Sequence, residues 1–336
     1  MRMSFSKLSL KLKRQGMYFL VTAVALTTPL AGVLPSAHAV GLSADAKAAI
    51  PHNVQQLIVV DYRAMQTSSA AMSLRDRVMP PELKRLEAAL INSGLKVDQD
   101  ADALEFAAFR APNPDGKGVD VDRIVGIAQG QFHTVAILAN FAKSKTTPTM
   151  VRNNSIYAIG SGLNVVFLNQ TTMVFGDKSS VRAAVDARDG FAPNFLTDSD
   201  LVAQMGSVDS HAVWSLLDAK GTQYMMKGMI GEAAQLADYD TVKKLMRGSS
   251  YTMDFANGVK FNMAVSMSDT VTAATCATLM KGVQVLKKAQ GTPLEKTALD
   301  QTKIDSSAGT LTMAYSSSDS EFASLLTSSL FQSAVK

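Results

Sequence analysis

"QQLIVVDYRAMQTSSAAMSLRDRV", residues 55–78, and "SHAVWSLLDAKGTQYMMKGMIGEA", residues 210–233, decide how the chain is organised. Each opens on a short apolar run of strand character that ends in an aspartate, Asp61 in the first and Asp218 in the second. A polar turn and a helical spacing of apolar residues follow in both. Counted from the two aspartates, Met72 and Met229 fall at the same offset with no gap. Most other letters differ, so the repeat rests on the order of elements.

That order recurs downstream. In the first half a helical pattern runs through "PPELKRLEAALINSG" (80–94), with prolines suited to its start and Gly94 to its end. Strands are expected in "ALEFAAFRA" (103–111) and "RIVGIAQGQF" (123–132), then a helix in "HTVAILANFAKS". Short strands in "SIYAIG", "LNVVFLNQ" and "TMVFGD" lead to a closing helix, "KSSVRAAVDARD". In the second half a helix in "DTVKKLMRG" precedes "SSYTMDFANGVKFNMAVSM", a hairpin about Asn257-Gly258, a pair that tolerates positive φ. A long helix from Asp269 to Gln290, a strand in "AGTLTMAYSS" and a helix in "DSEFASLLTSSLFQ" complete it, with Ser318 or Asp319 as cap.

The expected fold is therefore α+β. Two related units span 53–196 and 197–336, each an antiparallel sheet with helices packed on one face. Each resembles in plan a ferredoxin-like split βαβ unit with additions.

The N-terminus reads as an export signal. Arg2, Lys7, Lys11, Lys13 and Arg14 precede the apolar run "MYFLVTAVALTTPLAGVLP" (17–35), and "AHA" (37–39) supplies small residues for cleavage. The reading is a signal peptide over 1–39, cleaved after Ala39, and a linker over 40–52. An uncleaved anchor is the alternative. The destination is the periplasm or the extracellular space. Five of the 33 basic residues and none of the 29 acidic ones lie in 1–39, which leaves 28 against 29. A near-neutral mature chain lacks the basic surplus that nucleic-acid binding draws on. No later apolar run is long enough to span a membrane. Cys276 is the only cysteine and sits among apolar helical neighbours, so it reads as a small buried hydrophobe.

"IPHNVQQLIVVDYRAM", "GLKVDQDADALEFAAF" and "RIVGIAQGQF" together resemble uncharacterised exported bacterial proteins built from a repeated α+β unit. In those, an apolar strand ends in Asp, a helix follows, and a Gly-Leu-x-x-Asp turn introduces a strand pair. The resemblance covers about residues 50–190 and implies a fold and an exported location. It implies no catalytic residue.

The motifs that invite chemistry each have a structural alternative. "QYMMKGMIG" (223–231) places Met225, Met226 and Met229 within five positions, a pattern that can gather thioethers around Cu(I). At about 100° per residue these three join Ile230, Ala233, Leu236 and Ala237 in one arc of roughly 140°, the apolar stripe of an amphipathic helix. Core packing is the leading reading. An apolar groove formed by Met72, Met225, Met226, Met229 and Trp214 comes second, and copper third. "DQDAD" (98–102) starts like a calcium loop, but Ala103 and Phe109 stand where Gly and Glu are required. Asp61 and Asp218 read as caps, and His133 as the opening residue of a helix. "SGLK" (93–96) spans a helix end and lacks companion motifs, and "GSG" (160–162) is a turn.

No cofactor is expected. The leading functional expectation is a non-enzymatic exported envelope protein that binds or scaffolds, its partner another envelope protein. A carrier of an apolar ligand or lipid between sheet and helices is the alternative. A hydrolase assembled from distant residues comes last.

Overall fold

A computed structural model describes residues 41–79, 81–92, 94–113, 120–160, 162–230, 239–329 and 331. The expected signal peptide and its cleavage point lie outside these residues. In chain order the first half contains α1 (Ala44–Ala49), β1 (Val54–Asp61), α2 (Tyr62–Gln66), α3 (Ser69–Val78), α4 (Pro81–Asn92), α5 (Val97–Asp100), β2 (Ala101–Ala111) and β3 (Val121–Gly130). It continues with α6 (Thr134–Lys143), β4 (Pro148–Val151), β5 (Asn154–Gly160), β6 (Leu163–Phe167), β7 (Thr172–Gly176), α7 (Lys178–Arg188) and α8 (Ser199–Met205). The second half contains β8 (Val213–Asp218), α9 (Ala219–Ile230), α10 (Tyr239–Lys243), β9 (Met246–Asp254) and β10 (Val259–Met267). It ends with α11 (Thr270–Gln290), α12 (Pro293–Asp300), β11 (Lys303–Ser307), β12 (Thr310–Ser317) and α13 (Asp319–Leu325).

The class is α+β with antiparallel sheets. Two compact units form, but they do not divide at 196/197. Among the described residues, 41–67 and 81–218 make the larger, and 68–79 and 219–331 the smaller. Pairing explains the difference. β8 bonds to β1 and so belongs with the first half, while α3 leaves the first half and packs on α13. Segment 40–52, expected as a linker, carries a helix with Ala46, Ala49 and Ile50 fully buried.

In the larger unit the strand order is β8-β1-β2-β3-β7-β6-β5-β4, and the ladders joining these strands are antiparallel. A split βαβ unit relies on a crossover to a parallel strand, so these ladders lack the ferredoxin-like detail. Helices cover both faces of this sheet. Leu57, Val59, Phe109, Ile127, Val166 and Val174 point into one core with α1 and α7. Ala128, Val165, Met173 and Phe175 point into another with Ile137 and Phe141 of α6. Neighbours such as Val165 and Val166 serve opposite cores because side chains alternate across a sheet. That is why these strands read as continuous apolar runs.

The smaller unit orders its strands β9-β10-β12-β11. Here β10 alternates cleanly: Val259, Phe261, Met263, Val265 and Met267 are buried, while Lys260, Asn262 and Ser266 are exposed. α11 lies against β10, β11 and β12. The Asn257-Gly258 turn joins β9 to β10 with Gly258 at φ +78°. A Cβ there would come within 2.3 Å of the Ser317 carbonyl oxygen, so glycine is required. The β9-β10-β12-β11 order of the smaller unit repeats the β2-β3-β7-β6 order of the larger one.

The β1·β8 ladder joins the two strands that end in Asp61 and Asp218. Aligning Asp61 with Asp218 makes Ile58 equivalent to Ser215, Leu57 to Trp214 and Val59 to Leu216. The register pairs Ile58 with Ser215, Leu57 with Leu216 and Val59 with Trp214. The ladder is thus centred on a pair of equivalent residues, and its antiparallel register gives it local two-fold symmetry. The local axis passes through the Ile58–Ser215 pair. Trp214 is 2% exposed and Leu57 fully buried, both in the same core.

Candidate functional site

The strand-ending aspartates lead to different partners. Asp61 stops β1 and caps α2, its Oδ1 accepting the Ala64 N–H at 2.8 Å. Asp218 stops β8 and accepts from Arg110 Nη2 at 2.7 Å, an ion pair from β2.

A polar cluster lies where α5 enters β2. Tyr62 donates to Asp98 Oδ1 at 2.8 Å. Asp100, 5% exposed, accepts the Lys96 N–H through Oδ2 at 2.7 Å, and its carbonyl accepts the Gln131 N–H at 2.8 Å. Arg63 pairs with Asp102. His133 Nδ1 stands 3.7 Å from Asp100 Oδ1, with its side chain 77% exposed. Gly130 permits this closeness, because a Cβ there would sit 1.8 Å from the Asp100 carbonyl oxygen. "DQDAD" is therefore a helix turn tied to its neighbours.

The other candidates lie on other elements. Met225 and Met226 are buried at 3% and 0%, and Met229 is half-buried. Thr222, one turn earlier on α9, shares a hydroxyl hydrogen bond of 2.8 Å with Ser249 of β9, which seats the helix on its strand. Met72 is half-buried on α3 of the smaller unit. Trp214 belongs to the core of the larger unit with Val59, Phe195 and Leu216. Cys276 is fully buried, and burial pushes its thiol up to about 11. His52 Nδ1 meets Thr197 Oγ1 at 3.0 Å. Among the described residues no group of three or more His, Cys, Asp or Glu is placed to hold a metal ion. No described helix is long and apolar enough to cross a membrane. Ser93 of "SGLK" and Ser161 of "GSG" lie outside the described residues, while Gly160 and Gly162 have the positive φ of a turn.

One group escaped the sequence reading. Glu105 lies on β2 and is fully buried. Its register neighbours are Val59 on β1 and Ile127 on β3. Burial pushes its carboxyl up to about 8, and a hydrogen bond from Gln129 works the other way. Burial thus favours the neutral form of the carboxyl. The signal was present in "ALEFAAF": Glu105 shares the inward parity of Ala103, Ala107 and Phe109.

No family model matches the sequence, and no curated protein matches it. Among solved structures, crystal form I of TP0453 is similar at a TM-score of 0.48 and 9% identity, over 84% of this chain and 97% of that one. Crystal form IV of TP0453 gives 0.40 and 9% identity, over 84% and 96%.

Proposed function

We propose that the protein is a non-enzymatic exported protein of the cell envelope that binds or scaffolds a partner through two related α+β units. The observation that carries this reading is the commitment to the fold of the aspartates that the sequence singles out. Asp61 caps a helix, Asp218 holds Arg110, and Asp98 and Asp100 fix the turn into β2. A catalytic centre needs polar groups that converge on a reacting atom. The signal-like N-terminus supports export, and the near-neutral mature charge fits a protein partner better than a nucleic acid.

The test is purification from the native envelope after mild cross-linking, with metal and cofactor analysis of the same preparation. The expected result is one saturable protein partner, no stoichiometric cofactor, and a mature N-terminus at Val40. A stoichiometric cofactor with no retained partner contradicts the proposal. Bound lipid in native mass spectra would instead support the carrier of an apolar ligand.

A further inference from the structure

α11 covers its sheet with one face and leaves the opposite face bare. Ala273, Cys276, Ala277 and Met280 are buried, and the helix lies against β10, β11 and β12. On the outward side Val271, Thr275, Thr278, Gly282, Val285 and Ala289 are all exposed. Their spacing alternates four and three, the a/d pattern of a coiled-coil seam. The seam runs about 27 Å along the helix. Val271 is 75% exposed and Val285 66%, and Leu286, at an e position beside the seam, is 53% exposed.

Little on this face resists being covered. The Thr275 hydroxyl donates to the Val271 carbonyl and the Thr278 hydroxyl to the Ala274 carbonyl, each at 2.9 Å. Both hydroxyls are satisfied within the helix, so burying them strands no donor. Gly282 is a poor helix former in the middle of an exposed helix. A Cβ there would meet no atom within 4 Å, so the packing of α11 does not call for glycine. Against a second helix, a small residue at that position lets the two backbones come close.

Charge selects the occupant. The charged residues of α11 are Lys281, Lys287 and Lys288, and none is acidic. Lys281 and Lys288 take g positions, the flank whose charges set partner choice. Lys288 also reaches Asp300, in a pair exposed on both sides. An antiparallel copy of α11 would set lysine against lysine, and a parallel copy would set Lys281 against Leu286. A lipid surface calls for large apolar and aromatic side chains, whereas this seam offers threonine, glycine and alanine beside its valines. We infer, on the binding role proposed above, that the outward face of α11 docks an amphipathic helix of another protein, one that carries carboxylates beside its apolar seam. Those carboxylates meet Lys281 and Lys288, and the apolar seam covers Val271, Val285 and Leu286.

Photo-cross-linking in the native cell tests this, with the reactive side chain placed in the full chain at Gly282, where it meets no neighbour, or at exposed Lys260 of β10 as control. The adduct from Gly282 is expected to map to a heptad-patterned segment of one other protein, with Asp or Glu flanking its seam. Val285→Glu is expected to lower that yield about tenfold, because it buries an unpaired carboxylate. The urea midpoint should stay unchanged, since Val285 is exposed. Adducts from Gly282 to lipid, to a second copy of this chain, or to a segment without flanking carboxylates overturn the inference. So does a yield no higher than at Lys260, or one that Val285→Glu leaves intact. If the purification described above retains a partner that Gly282 does not reach, this surface falls and the binding role stands. If it retains none, both fall.

Discussion

Asp61 and Asp218 end equivalent strands with the same side chain and do different work. In the first half the carboxylate turns onto its own backbone and starts α2. In the second it reaches across to Arg110 on β2. The shared strand-to-helix pattern fixes where the strand stops, and the local neighbours fix what the residue there does. A letter shared by the two halves is thus evidence of common topology and carries no shared chemistry. The same holds for Leu57 and Trp214, which fill one core from equivalent positions with side chains of very different volume.

The largest expected effect tests that pair. Trp214→Ala should cost about 3–5 kcal/mol and Leu57→Ala about 2–5 kcal/mol, read as shifts in urea midpoint. A cost well under 1 kcal/mol at either site would break the claim that both fill one core.

Glu105 has no counterpart in this comparison and gives a pH signature. Its folded value, about 8, lies above the unfolded value near 4.5. Between these pH values the folded state holds a proton that the unfolded state has lost. The stability this group contributes is full below about 4.5 and is lost as pH rises to about 8, at about 1.4 kcal/mol per pH unit. Glu105→Gln should flatten that decline in denaturation curves taken from pH 5 to 8. A decline of the same slope in the variant would assign it to other groups.

The smallest effect separates the two aspartates. Asp61→Ala removes a cap and should cost about 1 kcal/mol. Arg110→Ala should leave Asp61→Ala unchanged in a double-mutant cycle but couple to Asp218→Ala. Coupling of Arg110 to Asp61 instead would reverse the assignment.

Much of the fold was legible because periodicity and turn chemistry carry it. The hairpin at Asn257-Gly258, the α11 start at Asp269 and the Ser318 cap of α13 follow from local residue types. Partners of strands were not legible. Nothing local to "HAVWSLL" reveals that β8 bonds to β1 rather than staying with the second half. The short strands β4 and β11 also escaped, since "PTMV" and "KIDSS" are too brief or too polar to show a period. α1 was hidden in a stretch of small residues whose burial depends on the sheet beneath it. At the sites, the methionine stripe was readable as core by its angles, whereas Glu105 needed the inward parity of β2 to be followed residue by residue.

The central claim is that the equivalent strands β1 and β8 pair about a local two-fold axis through Ile58 and Ser215. Paired cysteines test it in a Cys276→Ser background, because cross-strand Cα separations of about 4.5–5.5 Å suit a disulfide. Ile58→Cys with Ser215→Cys should cross-link in the folded chain under mild oxidation. Ile58→Cys with Leu216→Cys should not, since a one-residue slip puts the two side chains on opposite faces. Peptide mapping that finds the slipped pair linked and the 58–215 pair free would contradict the account.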